Sequence, residues 1–319
     1  MAEGPQGTIS ANVNFDIELA AKMLKKAMKG LGTDEKVIIE VLVSHNNDQR
    51  QEIKTHYKTM YGKDLQDDLS SELGGHFENV CLSLLIPPRM FDVKHLKRAM
   101  DGIGTVEKVL VEVLCTRNQE EIEMIKNGYK QAYDKDLEAD VTSETSGQLK
   151  RLLVSMLAGG RDQTNEVDPA AARKDAEDLY QAGAAKLGTD ESTFNAVLAT
   201  RNMLQICEVC EAYAKLSGND IIDAVKSEFS GDTKEGYLAI VKCARNPPAY
   251  FAECVKKAIA GAGTDDDSLI RILVSRSEVD LQDIKKAYQI MYTETLNAAV
   301  SGDTSGDYKK ILLEIVGPE

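Results

Sequence analysis

Four acidic residues stand at a fixed distance from four short glycine loops, and this pairing is the feature of the sequence best suited to metal chemistry. One glycine in each loop serves as a register mark, and an acidic residue follows each mark by forty residues. The marks are Gly32, Gly104, Gly188 and Gly263, and the acidic residues are Glu72, Glu144, Glu228 and Asp303. One acidic residue at the same offset in every copy predicts a repeated binding site.

The first loop, Met28 to Glu35, predicts an oxygen-only cation site. Glycine permits left-handed turns, so the carbonyl groups of Met28, Gly30 and Gly32 could converge on one ion. With a bidentate Glu72 they would supply five oxygen ligands, whereas calcium takes about 6–8 at about 2.3–2.6 Å. Zinc prefers nitrogen and sulfur, and magnesium requires a tight octahedron. The pattern therefore favours calcium, with open positions for water or a lipid phosphate oxygen.

A purely structural interpretation of the same residues is also available. A Gly-x-Gly-Thr run can connect two helices, with glycine after the first helix and threonine at the N-cap of the second. We predict such N-caps at Thr33, Thr105, Thr189 and Thr264. The recurrence of the remote acidic residue in all four copies favours the metal site over a simple helix connection.

The elements that position these loops are helical. The marks are separated by 72, 84 and 75 residues, and apolar residues around them recur with helical spacing. Five helices fit each copy, and strand signals are absent. We predict an all-α protein of four five-helix repeats that fold as one body. The predicted parts are an arm at 1–15, repeats at 16–87 and 88–159, a linker at 160–172 that joins two pairs of repeats, and repeats at 173–247 and 248–319.

The charge and composition of the chain argue against several classes of function. The net charge is −14 and no basic run is present, which argues against nucleic acid and against direct attraction to anionic lipid. A membrane partner would need a bridging cation. No signal-peptide pattern and no long apolar run occur, so a cytoplasmic protein is expected. The four histidines lack metal spacing and no nucleophile motif is present, so no enzymatic activity is predicted.

At these residues the chain resembles the annexins, from about Phe15 to Gly317. The resemblance implies a curved disc of four five-helix repeats that docks reversibly on membranes rich in phosphatidylserine when calcium rises. It places the calcium ligands of repeats one, two and four on Met28, Gly30, Gly32 and Glu72; Met100, Gly102, Gly104 and Glu144; and Ile259, Gly261, Gly263 and Asp303.

The third repeat departs from the annexin pattern, because Ala184-Ala185-Lys186 replaces the usual sequence before the mark. Family members with this variant imply a different ligand set, namely Gly183, Lys186, Gly188 and Glu228. The loop tips are apolar in all four repeats, and the resemblance implies that they contact the membrane. These tips are Leu31, Ile103, Leu187 and Ala262.

A set of charged residues lies outside the loops. Asp92 stands where simple alignment on the marks gives Ala20, Ala176 and Phe251 in the other repeats. In annexins such charges line a central polar passage that has been proposed to conduct ions. The interpretation that we favour is a buried ion-pair network that fixes how the repeat pairs dock. The predicted members of this network are Asp92, Glu112, Arg117 and Arg271.

Two functions of different classes are therefore consistent with the sequence. The leading hypothesis is calcium-dependent binding to anionic phospholipid without catalysis. The alternative is a helical scaffold that binds another protein through its N-terminal arm and whose calcium sites are vestigial. The resemblance also implies homotrimers on membranes, while the sequence names no partner for the arm.

Overall fold

The computed structural model describes residues 4–30, 32–183, 189–261 and 263–319. These residues form twenty α-helices and no β-strand, which confirms the predicted all-α class. The helices follow one another in sets of five, as the sequence predicts for each repeat. Among them, none combines the length and the apolar character that crossing a membrane would require.

By contacts between its residues the chain divides into two compact units. Unit 1 comprises Met1–Phe91 and Pro248–Glu319, and unit 2 comprises Asp92–Pro247. The first and fourth sets of helices therefore share a unit, and so do the second and third. The segment 160–172, predicted as a linker, lies within unit 2, and the first helix of the third set begins inside it at Pro169.

The first and fourth sets of helices have closely similar lengths. The first set consists of α1 (Ile17–Ala27), α2 (Glu35–Val43), α3 (Asn47–Tyr61), α4 (Leu65–Glu72) and α5 (Gly75–Leu84). The fourth set consists of α16 (Pro247–Ala258), α17 (Asp266–Arg276), α18 (Leu281–Tyr292), α19 (Leu296–Asp303) and α20 (Gly306–Val316).

The second and third sets follow the same plan. The second set consists of α6 (Pro88–Ala99), α7 (Glu107–Thr116), α8 (Gln119–Tyr133), α9 (Leu137–Glu144) and α10 (Gly147–Leu157). The third set consists of α11 (Pro169–Ala182), α12 (Glu191–Thr200), α13 (Met203–Ser217), α14 (Ile221–Glu228) and α15 (Gly231–Arg245). The predicted acidic residues of the sites all end the fourth helix of their set.

Local sequence signals explain where the helices begin. Proline occupies the first turn of α6, α11 and α16, where its missing N–H costs no helical hydrogen bond. Asn46 and Asn118 form capping boxes with Gln49 and Glu121 at the start of α3 and α8. Asn202 caps α13 in the same way, through the backbone N–H of the third residue.

The third helix of every set ends in a left-handed residue. Gly62 and Gly218 occupy this position in the first and third sets, with φ of 66° and 74°. Asp134 and Thr293 occupy it in the second and fourth sets, with φ of 53° and 55°. The Cβ atom of an L-residue crowds the backbone in this conformation, which for a β-branched residue such as threonine is a rare and strained state.

Apolar packing holds each unit together. In unit 1, Leu24, Ile38 and Leu273 are fully buried members of one continuous hydrophobic core. In unit 2, the rings of Phe194 and Tyr237 pack on Phe229 with centroids 5.0 and 4.8 Å away. Aromatic pairs at such distances add to the free energy gained by burying their area.

The N-terminal arm lies against the connection between α17 and α18 in unit 1. The N–H groups of Thr8 and Ile9 donate to the carbonyl of Ser277 over 2.7 and 2.9 Å. A Cβ atom on Gly7 would lie 2.6 Å from that same carbonyl oxygen, so only glycine allows this close approach. The side chain of Ile9 is buried in the core of unit 1.

The left-handed position at the end of α18 provides a test of local strain. The crowded Cβ atom of Thr293 destabilises the native protein by about 1–2 kcal/mol, and replacing Thr293 with glycine removes this strain. The greater entropy of glycine in the unfolded chain offsets part of the gain. We expect the Thr293→Gly variant to unfold at a higher temperature, with a gain of about 1 kcal/mol. The matched reverse change, Gly62→Thr, should lower the unfolding temperature. An unfolding temperature of Thr293→Gly no higher than that of the original protein would contradict the assignment of strain to this position.

Candidate metal centres

Backbone conformation at the glycine pairs sets the shape of three loops. The φ angles of Gly30 and Gly32 are 111° and 88°, and those of Gly102 and Gly104 are 98° and 86°. Gly261 and Gly263 repeat this with 116° and 117°. A Cβ atom built on any of these glycines would meet nothing within 4 Å. Glycine is therefore required here for its conformation and not for lack of space.

One backbone hydrogen bond, common to the three loops, spans each of them. The N–H of Asp34 donates to the carbonyl of Ala27 over 2.9 Å, and Val106 donates to Ala99 over the same distance. Asp265 repeats the bond with Ala258 over 2.7 Å. Donor and acceptor are seven residues apart in all three loops, so each presents the same short turn between its two helices.

The loop of the third repeat is one residue longer. Its closing bond joins the N–H of Asp190 to the carbonyl of Ala182, eight residues earlier, over 2.7 Å. Gly183 has φ −120° and ψ −95° and does not share the positive φ of the other loops. A Cβ atom on Gly183 would lie 3.3 Å from Cγ of Glu228, so the structure brings these two predicted ligand residues together.

The prediction that threonine caps the second helix of each repeat is wrong. The residue that follows the threonine is the N-cap in every repeat: Asp34, Val106, Asp190 and Asp265. Three of these are aspartates whose charged oxygens accept from helix N–H groups, and charged acceptors form stronger hydrogen bonds than a hydroxyl does. The threonine hydroxyl is thereby left for another partner.

That partner is the remote acidic residue. Thr105 Oγ1 lies 3.2 Å from Glu144 Oε2 and 3.1 Å from the Glu144 carbonyl oxygen. Thr264 Oγ1 lies 2.5 Å from Asp303 Oδ2. In the third repeat, Thr189 Oγ1 lies 2.5 Å from Glu228 Oε2. Repeats two, three and four therefore join the loop to the predicted carboxylate.

The first repeat holds its predicted carboxylate differently. Glu72 is exposed at the end of α4. It borders a 380 Å³ cavity whose lining also includes Glu35, His76 and Tyr308. Burial, together with the negative charge of the nearby Asp266, raises the pKa of the Tyr308 hydroxyl well above its usual range, so this group remains neutral.

Several predicted site residues fall outside the described residues. These are the loop tips Leu31, Leu187 and Ala262 and the third-repeat ligands Lys186 and Gly188. Ile103, the tip of the second loop, is described and its side chain is fully exposed. Its contact with a membrane stays a prediction, because single exposed apolar residues are common on protein surfaces.

The donor groups fit a hard cation such as calcium. Throughout the described ranges, no three His, Cys, Asp or Glu side chains gather as a metal cluster. A metal at these loops would therefore take backbone carbonyl oxygens and a single carboxylate. Calcium accepts such an irregular set of oxygen ligands, whereas zinc prefers nitrogen and sulfur.

Two of the four predicted network residues form a buried ion pair. Arg117 donates from Nε and Nη2 to Oδ2 and Oδ1 of Asp92, over 3.0 and 2.9 Å. Burial opposes the charge of Arg117, but Asp92 outweighs this effect and raises the pKa of the guanidinium. Glu112 is buried in unit 2, and Arg271 is buried in unit 1, where its Nη2 donates to Ser268.

The third repeat contains the same ion pair, which the alignment on the marks missed. Arg201 donates from Nε and Nη2 to Asp175 over 2.7 and 2.9 Å. The counterpart of Asp92 is therefore Asp175, and the prediction of Ala176 at that position was wrong. Because the third loop has one extra residue, every position before it is shifted by one when the repeats are aligned on Gly188. The altered sequence Ala184-Ala185-Lys186 was the feature of the sequence that could have indicated this insertion.

Comparison with known proteins agrees with this architecture. A family model described as Annexin matches residues 19–84, 91–156, 174–240 and 250–315. Annexin A7 of Macaca fascicularis is 50% identical over 317 residues, and the match covers 99% of this chain and 65% of that protein. This chain thus spans less than two thirds of that relative's length.

Solved structures give the same result. A structure named annexin III is 42% identical, with a TM-score of 0.96, and the match covers 99% of this chain and 98% of that one. A calcium-bound annexin (Sm)1 is 32% identical, with a TM-score of 0.88, over 99% of this chain and 94% of that one.

Four five-helix repeats with glycine loops and remote carboxylates define a class of proteins known for calcium-dependent phospholipid binding. The chain belongs to the annexin family.

The two matched ion pairs differ in exposure, and this difference predicts their contributions to stability. The side chains of Arg117 and Asp92 are 2% and 1% exposed, whereas that of Arg201 is 42% exposed. Arg117→Ala leaves Asp92 buried without its partner and should cost about 3–5 kcal/mol. Arg201→Ala should cost less, because water already reaches the exposed Arg201 side chain and can solvate Asp175, itself 7% exposed, once that side chain is removed. Chemical unfolding in chelator measures both, and equal losses would contradict the ranking.

Proposed function

We propose that this chain binds anionic phospholipid membranes reversibly and in a calcium-dependent manner. The observation that carries the proposal is the loop geometry: paired glycines with positive φ face a carboxylate that, in repeats two and four, is tied to the same loop by a threonine hydroxyl. Such a loop can turn carbonyl oxygens and a carboxylate toward one cation.

The ligands proposed for repeats one, two and four are three loop carbonyls and one acidic side chain each. In repeat one these are the carbonyls of Met28, Gly30 and Gly32 with the carboxylate of Glu72. When bound, calcium would supply the positive charge with which the loop meets a lipid phosphate. Three carbonyls and a bidentate carboxylate leave about one to three of the 6–8 positions open, which suits a phosphate oxygen.

Repeat three is proposed to use another set. Gly183 and Glu228 lie together, and Lys186 and Gly188 complete the set implied by the sequence pattern. The loop tips are proposed to contact the membrane, and the exposed Ile103 is the tip that the structure describes. An apolar side chain that enters the interfacial region adds affinity in proportion to the apolar area it buries.

Charge supports the requirement for calcium. A chain with a net charge of −14 is repelled by an anionic surface unless a cation intervenes. We propose that the protein is cytoplasmic, joins the membrane surface as calcium rises, and has no catalytic role and no nucleic-acid partner. Assembly into homotrimers on membranes stays a prediction.

Vesicle binding tests the proposed function. With phosphatidylserine vesicles, we expect co-sedimentation in micromolar-to-millimolar calcium and complete release by chelator, because a chain with a net charge of −14 and no basic run has little other attraction to an anionic surface. Magnesium at equal concentration should not replace calcium, since it sheds water reluctantly and tolerates irregular cages poorly. Binding that persists in chelator would contradict the proposal, and absence of binding at any calcium concentration would favour the protein-binding scaffold.

A single ligand substitution tests the assignment of Glu72. Glu72→Gln removes charge and bidentate binding, so the calcium concentration for half-maximal vesicle binding should rise. Because Glu72 is exposed, the free energy of unfolding of the Glu72→Gln variant in chelator should stay within about 0.5 kcal/mol of that of the original protein. Asp67→Asn, an exposed change on the same helix, is the matched control and should leave the calcium requirement unchanged. A clear loss of stability in Glu72→Gln would favour the structural role.

A further inference from the structure

The threonine of the second, third and fourth loops makes a contact that the proposed ligand set does not include. Thr105, Thr189 and Thr264 each bring Oγ1 within 2.5–3.2 Å of a carboxylate oxygen 39 residues further along the chain. The contact recurs in both units and is unaffected by the longer third loop. It ties the first helix–helix loop of the repeat to the end of its fourth helix.

The chemistry of this contact suits a support for a metal ligand. A hydroxyl has one hydrogen to donate, and in repeats two and four the carboxylate and the backbone carbonyl of the same acidic residue, 3.1 Å away, share it. A carboxylate has lone pairs for several partners, so this contact leaves it able to bind a cation. The carboxylates that bind metals in proteins are themselves commonly held by hydrogen bonds. Threonine has a stiff, β-branched side chain, and these three threonines are half-buried, so each can hold its hydroxyl in a fixed place.

Without the threonine the carboxylates would have greater freedom. Glu144 is exposed at the end of α9, and Glu228 and Asp303 are half-buried at the ends of α14 and α19. A flexible glutamate must lose rotamer freedom when it binds an ion, and that loss reduces affinity. A hydroxyl that already fixes the carboxylate against the loop removes part of this cost before the ion arrives.

We infer that Thr105, Thr189 and Thr264 are positioning residues that orient Glu144, Glu228 and Asp303 toward the loop carbonyls. This inference rests on the proposed function, since it deepens the account of the same sites. The threonines are not assigned as ligands. Their hydroxyls act through the carboxylates, and their effect is to raise the calcium affinity of repeats two, three and four.

The first repeat supplies an internal control. In the part of the chain that the structure describes, Thr33 and Glu72 share no hydrogen bond, although they occupy the same two sequence positions. Removing the hydroxyl of Thr33 should therefore leave calcium binding unchanged. The comparison separates the effect of the hydrogen bond from the effect of changing a threonine in this motif.

The experiment compares three variants with the original full chain. Thr105→Val/Thr264→Val removes two hydroxyls at nearly constant shape, Thr105→Ser/Thr264→Ser keeps them, and Thr33→Val is the control. Calcium binding without lipid is measured by calorimetry, and the unfolding temperature is measured in chelator and in calcium. We expect about tenfold weaker calcium binding at the altered sites of the valine variant and a smaller calcium-induced rise in its unfolding temperature.

The other outcomes also decide the question. The serine variant and Thr33→Val should bind calcium as the original protein does. Unchanged or tighter calcium binding by the valine variant would overturn the inference. An equal loss of calcium affinity in Thr33→Val or in the serine variant would also overturn it. A lower unfolding temperature with an unchanged calcium-induced rise would mean a structural role only. If the double variant does not fold, Thr105→Val alone serves, because Glu144 is exposed. Absence of calcium binding by the original protein would instead overturn the proposed function.

Discussion

Positive φ angles at paired glycines are the constraint on which the candidate sites depend. In three loops both glycines adopt values of 86–117°, a region that L-residues with a side chain rarely enter. This backbone conformation lets one helix end and the next begin within a short loop, which a hydrogen bond between residues seven positions apart spans. In repeats two, three and four, the last residue of the fourth helix brings a carboxylate within reach of the loop threonine.

Repetition made much of this architecture readable from the sequence. The helical periodicity, the glycine loops and the forty-residue offset are local or periodic patterns, so twenty helices and the position of each predicted carboxylate could be expected. The N-caps could not, because threonine and aspartate are adjacent candidates with similar propensities. The structure shows that aspartate takes the cap at Asp34, Asp190 and Asp265. The fixed separation between Thr105 and Glu144 was visible, but its meaning required their distance.

The third repeat shows where alignment by a motif is insufficient. Its loop closes over eight residues, so counting back from Gly188 placed Ala176 opposite Asp92. The three-dimensional pairing of Asp175 with Arg201 corrects this, and it shows that the same ion pair serves two repeats with different exposure. Pairing of this kind depends on how the first helix packs beside the second, which single-sequence patterns do not specify.

We propose that each site combines carbonyl oxygens of a glycine loop with one remote carboxylate. A crystal structure of the protein at saturating calcium, with the ions located by their anomalous scattering, tests it most directly. We expect ions about 2.3–2.6 Å from the carbonyl oxygens of Gly102 and Gly104 and from the carboxylate of Glu144, with the equivalent arrangement at Gly261, Gly263 and Asp303. Calcium bound elsewhere, or bound at these loops without the carboxylates, would contradict it.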